Sequence, residues 1–576
     1  MTADAMRDLA AEFWRWRLAT VQDSSDDITR VERPAGWVAD WSGDAVAARR
    51  EQAAAFVAEY RKLDLSDEPV EVQVDGRLLG SALARVHWEL DLLRSWQRNP
   101  CFYLDQALVP IYNLLLVPPP IDGERAEAVV RHLGRVPVVL EQGRLNLDGH
   151  AAAPFARSAL TLLATAGDRL REAMTALLPF LPTDDGAIGK LVDPAADDAM
   201  GRLVDQAADG AMGRLVDQAV AALAGYRAWL EEGLPSFGDE TAVGAEAFGF
   251  FLHRVALLPY PAARLRDMGR QEWDRAIASE TVLRHRHSDV PPPSLPPDRE
   301  RWIAKERAAE LDVRRFYVER GLLSQPETLR HYRFAAMPPY LAPLTWLGVE
   351  HYAGSPSRVD DDALRYVREP HADLPYFQLA EAYDPRTGIA HEGVHAQQLA
   401  LSWRHPNPLR RHYYDSAANE GIAFYHEEMA LQSGLFDDVP VSQVFVANAM
   451  RLRALRVEVD VALALGELTL DEAADHLARA VPMDRETAWE EAVFFSGNPG
   501  QGLSYQVGKL QILDLLAACS RQDGFDLMGF HDRLWLEGNV PIALQRWEVL
   551  GARDHLDQAD RLGDALEADS TGGAAG

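Results

Sequence analysis

The sequence predicts a mostly α-helical protein with little β-structure, and three observations carry that expectation. Apolar residues recur at three- and four-residue spacing through Gly80–Gln97, Ala126–Leu140, Ser158–Leu178 and Val444–Leu465, the pattern of helices with one buried face. Alternating apolar runs are sparse. The 576 residues are 47% hydrophobic, the proportion of a globular chain, and such a length buries a large core without disulfides.

Taken in order, Leu9–Trp16 opens the chain as a helix interrupted by charges, without the continuous apolar core of a signal peptide. Pro69–Val74 (PVEVQV) is the best strand candidate, with Val70, Val72 and Val74 alternating. Ala107–Val117 is too short to cross a membrane and runs into three prolines. Within 189–218 a Gly-Lys/Arg-Leu-Val-Asp unit starts at Gly189, Gly201 and Gly213, a tandem period far below that of a solenoid and therefore a local duplication. Gly233–Glu240 separates two helical runs. Val290–Pro297 carries five prolines and cannot continue a helix. It divides the chain into an N-terminal helical lobe, 1–290, and a second helical lobe, 291–565, joined as one unit. The glycine-rich end, 566–576, lacks core-forming residues and is expected to be a disordered tail.

Lys and Arg number 58 against 88 Asp and Glu, a net charge of −30 that disfavours nucleic acid and anionic membrane surfaces as partners. Two cysteines, Cys101 and Cys519, fit a reducing compartment, so a cytoplasmic location is expected. His285 and His287 point apart on a helix, and Trp14, Trp16, Trp37 and Trp41 read as packing anchors. No phosphate-binding loop and no nucleophile elbow is present.

The chemistry concentrates at His391-Glu392-Gly393-Val394-His395. On a helix, i and i+4 share a face, so both imidazoles reach one metal ion, and Glu392, about 100° round, can take a proton from water beside it. A catalytic metal site needs a third protein ligand and an open position. Pro406 and Pro408 end the first helix, and Asp415, Ser416 or Asn419 can cap a second that Gly434 closes. If the two run antiparallel, Glu420 stands opposite the histidines as the third ligand. Glu427 falls on the same face, either behind a ligating imidazole or as a plain helix-surface carboxylate. A two-histidine, one-carboxylate set with an open position suits one Zn²⁺ best and also accommodates iron or manganese. Tyr505, close to Gly502 and Gly508, can project a phenol to a developing oxyanion, or can be a core tyrosine. Arg456 and Asp460 are spaced for a helical ion pair, and Arg453 or Arg456 can alternatively grip a substrate carboxylate.

H-E-x-x-H followed after some two dozen residues by Glu420-Gly-Ile-Ala-Phe-Tyr425-His-Glu427 resembles the mostly helical gluzincin metallopeptidases, and among them the bacterial DUF885 family. The likeness extends through Gly244–Phe248, Leu265–Trp273, Met337–Pro343, Arg453–Asp460 and Asn498–Gly508, about residues 240–520 in all. Two departures stand out. Many relatives insert a Pro-Gly pair within the metal motif where this chain is compact, and a histidine they carry after the aspartate is replaced by apolar Val461–Leu465. The resemblance implies a large two-lobed fold with a deep central cleft, Tyr505 as oxyanion donor, and Gln501 and Tyr340 near the substrate.

The expected activity is zinc-dependent hydrolysis of an amide bond in a short peptide, with Glu392 as general base. The alternative keeps the site but acts on a small-molecule amide or ester, or uses the metal as a Lewis acid without hydrolysis. A binding protein with a dead site is a third reading.

Overall fold

The computed structural model describes residues 2–25, 30–182, 201–291, 293–371, 373–374 and 376–572. It is mostly helical with one small sheet. The first part is built from α1 (Thr2–Thr20), α2 (Gly43–Tyr60), α3 (Val70–His87), α4 (Pro100–Leu116), α5 (Gly123–Leu147), α6 (Ala153–Leu177) and α7 (Gly201–Gly233). Helices α8 (Ala262–Arg286) and α9 (Arg299–Glu319) lead into strands β1 (Tyr332–Ala336), β2 (His351–Tyr352) and β3 (Ala363–Val367). There follow α10 (Tyr376–Tyr383), α11 (Val394–Trp403), α12 (Ser416–Gln432), α13 (Pro440–Ala464), α14 (Arg485–Gly497), α15 (Gln501–Cys519), α16 (Leu527–Leu536), α17 (Ile542–Leu550) and α18 (Asp554–Gly572), with further helical segments between, among them Leu470–Ala480.

The strand expected at Pro69–Val74 is instead the start of α3. Pro69 takes the N-cap position, and the valines feed a helical stripe in which Val74, Leu78, Leu79, Ala82, Leu83 and Val86 are buried. Three alternating valines are too short a run to outweigh that longer period. The second and third copies of the 12-residue repeat lie within α7, and the first lies outside the described residues. Where the composition predicts a disordered tail from 566, α18 continues to Gly572. Leu566 packs beside Gly249, and Glu567 pairs with Arg254 at 2.9 Å. Residues 573–576 lie outside the described residues.

In the sheet, β3 is central: β1 pairs with it in parallel and β2 antiparallel, with His351 opposite Arg365. The largest apolar cluster joins the first helices to Tyr340, Leu344 and Leu347 and, from near the C-terminus, to Val540, Leu544 and Trp547. A second gathers α9 and β1 with Ala390, Val394, Ala418, Ile422, Ile512 and Trp535. Helix α8 precedes the proline-rich 290–297 segment and α13 follows it, yet the two touch: a Cβ added at Gly269 would lie 2.9 Å from the Val457 side chain. Closer still are α12 and α15. A Cβ on Gly508 would fall 1.9 Å from the Ala417 carbonyl oxygen, and one on Gly421 would fall 2.7 Å from the Gly508 backbone. Only glycine at both positions permits that approach.

Candidate metal centre

The metal motif begins in a π-helical turn, Ile389–Gly393, that passes directly into α11. Widened turns of this kind re-aim side chains within an otherwise regular helix. Here the Nε2 atoms of His391 and His395 come within 3.3 Å of each other. Helix α12 opens as its sequence indicates: the Asp415 side chain accepts the Ala418 N–H at 2.8 Å, and Gly434, at φ +91°, follows its last turn. That register sets Glu420 Oε2 3.2 Å from His395 Nε2 and 3.6 Å from His391 Nε2. His391, His395 and Glu420 are all buried and form the candidate metal-binding cluster among the described residues.

The donor set fits an ion. A tetrahedral site with bonds of about 2.0–2.1 Å holds its donors about 3.3 Å apart, whereas an octahedral shell of the same radius holds them about 2.9 Å apart. The separations of 3.2, 3.3 and 3.6 Å follow the tetrahedral spacing. Glu420 Oε2 is buried without a hydrogen-bond partner. The surrounding charges agree. Arg365 is matched by Glu381, Arg453 by Glu427 and Arg456 by Glu491, which leaves Glu392 and Glu420 as two carboxylates beside two imidazoles. A divalent cation neutralises that pair.

Glu427 sits behind His391, as its helix face suggests. Its Oε1 is 2.7 Å from His391 Nδ1 and 3.0 Å from Arg453. An N–H donated from Nδ1 to this carboxylate leaves Nε2 with a lone pair directed at the metal position. Burial alone would depress His391, but the carboxylates of Glu420 and Glu427 beside it prevail and raise it to about 9. Against a burial cost that raises it, His395 and His391 hold Glu420 well below the usual carboxylate range. Glu427→Gln keeps an acceptor but removes the charge, and is expected to weaken metal affinity about tenfold, measured by competition with a chromogenic chelator.

Glu392 is the partly open member, its side chain 32% exposed. Burial raises its carboxyl, but His351, His391 and Arg365 pull harder, and it stays ionised far below the usual range. His351 and Arg365 come from the sheet and carry no sequence signal of their own: each lies in a short strand without strong alternation. Tyr505 stacks its ring nearly parallel to that of His391, 6.3 Å between centroids, and Arg453 and Arg456 lie 5.7 and 5.1 Å from its centre. Burial and the nearby Glu420 raise the phenol well above 10 despite the two arginines, so it keeps its proton for donation.

Three expected residues are placed differently. The Arg456–Asp460 ion pair does not form. Arg456 Nε is 2.8 Å from Glu491 of α14. Asp460 is fully buried and accepts the N–H groups of Gly500 and Leu503 at 3.0 and 2.9 Å, so it caps α15. The free donors at a helix start outcompete a side chain one turn away. Burial pushes Asp460 up to about 7 against the pull of those N–H groups. Tyr340 is not at the centre; it is wholly buried in the first apolar cluster, its ring 5.0 Å from Phe180. Gln501 accepts a hydrogen bond from Ser416 at 2.7 Å, one turn before Glu420 on α12 and one turn before Tyr505 on α15.

No curated protein matches the chain. Two solved structures share its fold. One, from Colwellia psychrerythraea and titled a "putative lipoprotein", is 15% identical with a TM-score of 0.71 over 98% of this chain and 99% of that one. The other, from Shewanella oneidensis and titled a "putative lipoprotein of unknown function", is 15% identical with a TM-score of 0.67 over 96% and 100%. A "putative oligoendopeptidase F" from Bacillus anthracis str. Ames aligns at a TM-score of 0.32 and 13% identity over 95% and 98%, too low to carry an argument. Among the described residues no helix is long and apolar enough to cross a membrane. The family described as bacterial protein of unknown function (DUF885) matches residues 29–549, and the chain belongs to that family.

Proposed function

We propose that this protein is a zinc-dependent hydrolase that cleaves an amide bond in short peptides. The observation that supports it most is the triangle of donor atoms from His391, His395 and Glu420, spaced for a tetrahedral ion, with the carboxylate of Glu392 beside it. The donor set, two imidazoles and one carboxylate with an open position, is the reason to prefer zinc over iron or manganese.

A divalent cation held by those three side chains supplies Lewis acidity to the scissile carbonyl and acidifies a water molecule. Glu392, ionised and partly open, accepts a proton from the attacking water and returns it to the departing amine. Tyr505, a neutral phenol stacked over His391, donates its O–H to the oxygen that gains charge. Arg456, 5.1 Å from the Tyr505 ring, adds a positive field on that side. Arg453 fixes Glu427, and through it the orientation of His391. Each arginine is paired with a glutamate, Arg453 with Glu427 and Arg456 with Glu491, while Nε and Nη1 of Arg453 keep donors for a substrate carboxylate. The cytoplasmic reading rests on the sequence holding two cysteines, Cys101 and Cys519, and is tested by cell fractionation.

The test is metal analysis of purified protein with a panel of dipeptides and tripeptides. One zinc per chain and chelator-sensitive peptide turnover are expected. Glu420→Ala is expected to bind zinc at least about tenfold more weakly, and full metal content in that variant would remove Glu420 from the ligand set. Bound zinc with no peptide turnover would move the reading to a small-molecule amide or ester.

A further inference from the structure

The sheet meets the metal motif at Glu392. His351 Nδ1 lies 3.5 Å from Glu392 Oε2. We propose that His351 is a positioning residue for Glu392: an N–H donated from Nδ1 to Oε2 fixes the carboxylate rotamer and leaves Oε1 to exchange the proton with the reacting water. The inference rests on the reading of Glu392 as general base.

Four features support it. His351 is 3% exposed, and neither Nδ1 nor Nε2 completes a hydrogen bond in this structure, so the Glu392 carboxylate, 3.5 Å from Nδ1, is the acceptor toward which the ring can direct its proton. Burial, against the pull of Glu392, depresses the imidazole below its ordinary range, so it is neutral and carries one N–H. The ring plane is held by Tyr332, whose ring centre is 4.9 Å away. Finally, His351 stands directly opposite Arg365 in the β2–β3 ladder, a register that puts both side chains on one face of the sheet. Arg365 is anchored by Glu381 at 2.8 Å, so it lends Glu392 charge while His351 supplies direction. A glutamate has three side-chain torsions, and a base displaced by about 1 Å can lose on the order of a hundredfold in rate. A buried imidazole on a paired strand removes that freedom.

His351→Phe keeps the ring volume and removes the donor; His351→Asn keeps an N–H near the position of Nδ1. Both are compared with wild type and Glu392→Gln, all zinc-loaded, by crystallography and by peptide kinetics. In the Phe variant Glu392 is expected to leave its wild-type rotamer and kcat to fall about tenfold or more, with KM within about twofold and zinc content unchanged. The Asn variant is expected to restore the rotamer and most of kcat. An unmoved Glu392 with unchanged kcat in the Phe variant, or equal losses in both variants with Glu392 unmoved, would overturn the proposal. Should Glu392→Gln turn over like wild type while the Phe variant still releases the carboxylate, the positioning contact stands and the base assignment falls.

Discussion

Turnover by Glu392→Gln is expected to fall by about 10²- to 10⁴-fold, the range general base catalysis commonly contributes. The amide is nearly isosteric and can still accept from His351, so the fold, zinc content and KM are expected to hold. What disappears is the lone pair that takes a proton from water. Because the wild-type carboxyl sits far below the ordinary range, the base is already ionised well into the acid region and the variant has no ionised form to recover at any pH. Steady-state kinetics beside metal analysis separate the two effects. Retention of activity within about tenfold would take Glu392 out of the role of base.

The second large effect is remote from the chemistry. Gly508→Ala places a methyl group 1.9 Å from the Ala417 carbonyl oxygen, a contact that real atoms do not make, so α15 must move away from α12. Overpacking of this kind typically costs about 1–3 kcal/mol, and more where backbone faces backbone. Glu420 rides on one of these helices and Tyr505 on the other. The variant is therefore expected to lose thermal stability, zinc affinity and turnover together, whereas Glu392→Gln loses turnover alone. Thermal melts with and without added zinc read this out, and a wild-type melting midpoint with wild-type zinc affinity would contradict the close approach.

The sequence made the metal centre legible because its information is local. His391 and His395 are one turn apart, and the Asp415 cap and Gly434 stop fix the register of α12, so Glu420 and Glu427 follow from helical periodicity. Spacing failed where a distant partner competed. Arg456 and Asp460 satisfy the rule for a helical pair, but Glu491 and the exposed N–H groups at the start of α15 make better partners for each. His351 and Arg365 were illegible for a related reason: strands of two and five residues have too little alternation to announce themselves, and an isolated histidine carries no pattern. Tyr340 was suggested by resemblance alone, and its environment is a hydrophobic core.

The clusters that pack the molecule together also set when it can exist. Ala390 and Val394, beside and inside the metal motif, share their apolar surroundings with Ile512, Trp535 and Ile542, and the first helices share theirs with Val540, Leu544 and Trp547. A ribosome adds roughly 5–20 residues per second. After His391 leaves the ribosome, about 150 more residues must follow before its packing partners are available, an interval on the order of ten seconds. During that interval the nascent chain holds two ligating histidines without the scaffold that orients them. On the proposed reading, metal loading is expected only once the residues beyond 540 are in place, and a product that stops short of residue 540 carries the whole metal motif but lacks part of the packing around it.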